Sequence, residues 1–124
     1  MAKPSNPNSN VRQDFTDYSS VAVTVGTNKR EFAALFGGRV VAHARAEGAG
    51  VGAGNTTLNV FVNGVSVLSR VLLIATASTG EFTQGEPAAA ASAKPGDRIS
   101  YDVVAIPATT GHTRVSISIA IVAP

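Results

Sequence analysis

The sequence predicts an all-β protein: a single antiparallel β-sandwich of about eight short strands behind an extended N-terminal arm. Three observations lead to that expectation. Apolar residues recur with period two through most of the chain after residue 18, as in strands with one buried face. Gly, Asn, Asp and Pro punctuate the chain at the short intervals that sandwiches use for turns. No segment carries a helical apolar stripe longer than a turn or two.

Residues 1–18, MAKPSNPNSNVRQDFTDY, read as the arm. Two prolines and a run of Asn and Ser leave too little apolar surface to offset the entropy of ordering, so the arm needs an outside partner. Val11, Arg12, Phe15 and Tyr18 are its candidate partner-binding residues.

The sandwich domain is expected over 19–124. Val21, Val23 and Val25 alternate with Ala22 and Thr24 as a first strand, stopped at Gly26-Thr27-Asn28. Residues 31–36 form a second run, closed by Gly37-Gly38. In 39–47, Val40, Ala42, Ala44 and Ala46 face one way, and Arg39, Val41, His43, Arg45 and Glu47 the other. An alanine-lined face leaves room for a closely packed opposite sheet.

The glycine spacer GAGVGAGN at 48–55 reads as a mobile loop. Leu58, Val60 and Val62 then face inward, with Thr57, Asn59 and Phe61 outward, and the strand runs into the hairpin signal Asn63-Gly64. Residues 65–69 are the return strand, 70–75 a separate apolar one, and 81–83 a short segment. The alanine-rich stretch 86–93 fits either one helical turn or an extended edge.

Lys94-Pro95-Gly96-Asp97 has the residue order of a type II turn. The two longest strands are 98–106 and 113–122, joined by the loop 107–112. In the last, Val115, Ile117, Ile119 and Ile121 make a β-branched face with Ser116, Ser118 and Ala120 behind it.

Composition narrows the function classes. Only 15% of residues are charged against 44% hydrophobic, a balance that suggests a surface partly covered by something else. The net charge of +2 comes from scattered basic residues, without the basic stripe of a nucleic-acid binder. There is no cysteine, hence no disulfide framework and no thiolate metal site, which fits assembly in a reducing cytoplasm. Residues 1–10 lack the apolar core of a signal peptide, and the apolar stretch 71–75 is too short to cross a bilayer, so no membrane partner is expected.

Chemistry leaves little trace. His43 lies among outward Arg residues and His112 in a turn, and each reads as a satisfied or solvated histidine rather than a metal ligand. Asp102 is expected to pair with a basic residue across its sheet. The remaining carboxylates show no general acid–base pairing, no serine sits in G-x-S-x-G, and the glycine spacer has Ala53 where a dinucleotide loop needs its third glycine. The expectation is a non-enzymatic protein without metal or cofactor.

The segment from Gly38 onward, GRVVAHARAEGAG…NTTLNVFVNGVSVL followed by KPGDRISYDVVAI and SISIAIV, resembles the small jelly-roll-like β-sandwich domains of tailed-bacteriophage virion proteins. These occur as capsid decoration (cement) proteins, head fibres and some tail fibres. The resemblance rests on V-x-V-N-G-x-S-V-L at 60–68 and G-D-R-I-S-x-D-V at 96–103. It implies a non-enzymatic structural protein, commonly a homotrimer, bound to a major capsid protein on the virion surface and assembled in the host cytoplasm. It carries over no catalytic residue and no individual contact.

The runner-up readings are a carbohydrate- or receptor-binding module of a fibre, and a head–tail or tail component. Five Phe, two Tyr and no Trp are few aromatics for stacking on sugars. Val41, Phe61 and Val104 are apolar on nominally outward faces. They serve either self-association or burial of both sheet faces within one domain.

Overall fold

The alternating segments pair as strands in the computed structural model, which describes residues 12–77, 81–84, 86–87 and 92–123. Among these residues the strands are β1 (Arg12–Ser19), β2 (Gly26–Ala33), β3 (Gly38–Gly48), β4 (Thr56–Val62), β5 (Val65–Ser66), β6 (Leu68–Arg70), β7 (Leu72–Ile74), β8 (Glu81–Gln84), β9 (Glu86–Pro87), β10 (Ser92–Ala93), β11 (Arg98–Ala105) and β12 (Thr113–Val122). The first sheet runs β1-β12-β3-β10, with β8 also pairing with β3. The second runs β2-β11-β4-β5, with β7 also on β4, and β6 with β9 makes a small third ladder. The strand pairs are antiparallel. The protein is an all-β sandwich, with more strands than the expected eight because several edge strands are only two or three residues long.

The core follows from the period-two faces. Ala42, Ala44 and Ala46 of β3 lie in register with Ile119, Ile117 and Val115 of β12, small against large. The branched side chains thus lean over the alanines toward the second sheet. There they meet Leu58 and Val60 of β4, Ile99 and Val103 of β11, and Leu72 and Ile74 of β7, all buried. Each such side chain contributes roughly 1.5–3 kcal/mol by leaving water.

The turns at 63–64 and 94–97 form as their residues demand. Asn63 and Gly64 both take positive φ, 51° and 81°, and Gly96 takes 88°. Of the stretch 86–93, the described residues are extended; the others lie outside the described residues.

Four expectations need correction. Residues 12–18 are not an arm: with Ser19 they form β1, paired with β12 along its whole length from Arg12↔Val122 to Ser19↔Val115. Without β1, the outer edge of β12 would leave backbone donors and acceptors unpaired beside a β-branched core face. Residues 20–25 are not a strand, despite the alternation of Val21, Val23 and Val25. They carry the chain from β1 in one sheet to β2 in the other, and Val23 N–H donates to His112 O in the 107–112 loop at 2.9 Å rather than to a strand. Gly26 opens β2 rather than stopping a strand.

The glycine spacer is not a free loop. Gly50 N–H donates to Thr76 O at 2.8 Å, Val51 and Thr110 form a bridge, and Ala108 N–H donates to Ala53 O at 2.8 Å. Glycine is required at position 50 because a Cβ there would collide with Pro107 and crowd the His112 ring. Finally, Asp102 accepts a hydrogen bond from the backbone N–H of Asn28 at 2.7 Å rather than pairing with a basic side chain. Asn28 has φ 48°, a left-handed kink in β2 that accompanies this bond.

Candidate functional site

The residues singled out for binding fall into three places: the edge where β1 meets β2, and the outer face of each sheet. At the edge, every second residue of β1 points between the sheets. Gln13 donates from Nε2 to Ala33 O at 3.0 Å and accepts from Leu35 N–H at 2.8 Å. Phe15 stacks on Phe32 with ring centroids 4.4 Å apart, and the Arg30 guanidinium lies 5.9 Å above the Phe15 ring. Asp17 accepts from the Tyr101 hydroxyl at 2.5 Å and lies 3.5 Å from Arg30. Burial, then the hydrogen bond and negative charge of Asp17, push the Tyr101 phenol well above its usual range, with Arg30 opposing. Phe15, expected as an anchor for a partner, is therefore occupied inside the sandwich.

Arg12 and Tyr18 point the other way, onto the outer face of the first sheet. Arg12 forms a bidentate pair with Asp14, closest at 2.7 Å, and Tyr18 is 53% exposed. In register with β1 come Ser116, Ser118 and Ala120 of β12, then Arg45, His43 and Val41 of β3. The face carries small side chains in its centre, with guanidinium groups toward its ends. His43 is half-buried there. Burial and the nearby Arg12 lower its pKa, and Asp14 acts in the opposite direction. Val11 lies outside the described residues.

Phe61 and Val104 belong to the outer face of the second sheet. Phe61 is half-buried opposite Ser100 and Ser66, and Val104 is 52% exposed where the β11–β4 register shifts. Leu73 of β7, opposite Thr57, adds a further exposed apolar side chain. The three self-association candidates are thus not one patch, because Val41 is on the opposite sheet. Val104 is not covered by a second layer within the domain either.

His112 is fully buried, not solvated. Its Nδ1 lies 2.6 Å from Thr56 Oγ1 and its Nε2 2.7 Å from Ala75 O. A carbonyl only accepts, so Nε2 carries a proton, and in the neutral ring Nδ1 accepts from the threonine hydroxyl. The imidazole ties the 107–112 loop to β4 and to the end of β7. Among the described residues, no group of three or more His, Asp or Glu side chains gathers as metal ligands.

No family model matches the chain, and no curated protein matches it.

Sequence reasoning missed the Gln13, Asp17, Arg30 and Tyr101 contacts. Their one local signal was the alternation Gln13, Phe15, Asp17, in which two of three inward residues are polar.

Proposed function

We propose that this protein is a non-enzymatic structural protein of a tailed-bacteriophage virion, a capsid decoration protein that binds the major capsid protein and self-associates as a homotrimer. The observation that carries this reading is the spatial meeting of the two motifs behind the family resemblance. The hairpin of 60–68 and the strand of 96–103 are neighbours, β4–β5 beside β11. Asn63 locks them together: its backbone N–H donates to Arg98 O at 2.8 Å, and its Oδ1 accepts from Arg98 N–H at 2.9 Å. Its Nδ2 donates to Asp97 at 3.0 Å. The residues that carry the resemblance thus make one structural corner rather than two separate turns, and the reading rests on that corner.

In this reading the two outer faces divide the work. The first sheet, with Arg12, Tyr18 and Val41, meets the shell together with the polar segment 1–11. The second, with Phe61, Val104 and Leu73, packs against neighbouring copies. A stable interface needs on the order of 1,000 Å² in total, within reach of such a face. The test is to add the purified protein to particles lacking it and image them. Density on the shell lattice at three-fold positions is the expected result; density on the tail, or no binding, would overturn the proposal.

A further inference from the structure

At the end of the sandwich beside β1, the two sheets part to leave a cavity of about 200 Å³. Its floor is apolar core: Leu58, Val103, Val115 and Ile117. Its rim is the crossing segment 21–24, together with Asp17, Tyr101 and Lys29. An apolar cavity of about 150 Å³ is large enough for benzene, so this one has room for a single ring with a small polar head.

The charges on the rim are unequal. The Asp17 carboxylate is already matched by Tyr101 and Arg30. The Lys29 ammonium bonds only neutral oxygens, Thr24 O at 3.2 Å and Thr24 Oγ1 at 3.3 Å. Among the described residues, no carboxylate lies within ion-pair reach of it. An ammonium has three donors, so one donor and the whole positive charge are left for something else. A cation on the rim of a cavity with an apolar floor recognises an anionic head on an apolar body.

We propose that this cavity binds a small apolar monocarboxylate, its carboxylate on Lys29 Nζ and its hydrocarbon against Leu58, Val103 and Ile117. This inference is independent of the virion reading and concerns the isolated chain.

The probes are benzoate, its neutral analogue benzyl alcohol, and acetate as the head group alone, titrated at neutral pH into the full-length protein while backbone amide resonances are followed. Benzoate is expected to saturate, with shifts concentrated in 21–24 and at Leu58, Val103 and Ile117. Benzyl alcohol should bind there about tenfold more weakly, because its neutral hydroxyl can still accept from the ammonium but lacks the charge pairing of a carboxylate. Acetate should not saturate. Lys29→Met, which keeps the aliphatic stem, should bring benzoate down to the level of benzyl alcohol, and Lys29→Arg should restore much of the difference. No saturable shifts, shifts centred elsewhere, or equal affinity of the wild-type chain for benzoate and benzyl alcohol would each overturn the proposal.

Discussion

The middle of the sandwich and its β1–β2 edge are held by different physics. In the middle, the alanines of β3 and the branched residues of β12 face β4 and β11 in a dry core whose stability comes from area removed from water. At the edge, Gln13, Phe15 and Asp17 make directional contacts to Ala33, Leu35, Phe32, Arg30 and Tyr101. The core would accept many apolar side chains of suitable volume. The edge accepts one strand in one register, because a shift of one residue would turn all three contacts to the outside. Bulk is assigned to the middle and uniqueness to the edge.

The largest effect is expected from the middle. Ile119→Ala removes a side chain that is 1% exposed and should cost about 2–5 kcal/mol in chemical denaturation. A loss below about 1 kcal/mol would mean that the sheets close over the gap more easily than a dense core allows. At the edge, Asp17→Ala leaves the Tyr101 hydroxyl without its acceptor and Arg30 without its counter-charge. The expected loss is smaller, about 1–3 kcal/mol.

That contrast also decides what could be read from the sequence. The alternation in β3, β4 and β12 and the turns at 63–64 and 94–97 depend on neighbours within a few residues, so local chemistry sufficed. β1 was hidden because its inward residues are mostly polar and their partners lie far along the chain, Asp17 and Tyr101 being 84 positions apart. Averaging over 1–18 blurred the change from the Asn/Ser-rich start to the alternating RQDFTDYS. Residues 21–25 show the converse: Val alternation without a ladder to join. The outward placing of Val41, Phe61 and Val104 was legible from parity, whereas the sheet each belongs to depends on topology. Lys29 and its cavity had no local signal at all.

The edge should also show itself in pH dependence, with a smaller effect. The pKa of Tyr101 is raised in the folded state, so its contribution is intact below the ordinary phenol value of 10 and declines as pH rises beyond it. Stability measured from pH 8 to 11 should therefore fall above about pH 10 in the wild type, and less steeply in Tyr101→Phe. Parallel curves would mean that the Tyr101 phenol is neither buried nor bonded to Asp17 in solution. The smallest effect belongs to the exposed pair on the outer face. Arg12→Ala breaks a bidentate contact to Asp14, yet the loss should stay within about 0.5 kcal/mol, because exposed ion pairs are screened and entropically costly. A loss above about 1 kcal/mol would place Arg12 among the groups that hold β1 down.

Two truncations compared in thermal unfolding test most directly that Arg12–Ser19 is an integral edge strand of the sandwich. Removing residues 2–11 keeps β1 and should leave the midpoint within a few degrees of the full chain. Removing residues 2–19 strips the outer edge of β12 and all three inward contacts. It should lower the midpoint by about ten degrees or more, or abolish the cooperative transition. A chain lacking 2–19 that melts cooperatively at the full-length midpoint would contradict the account.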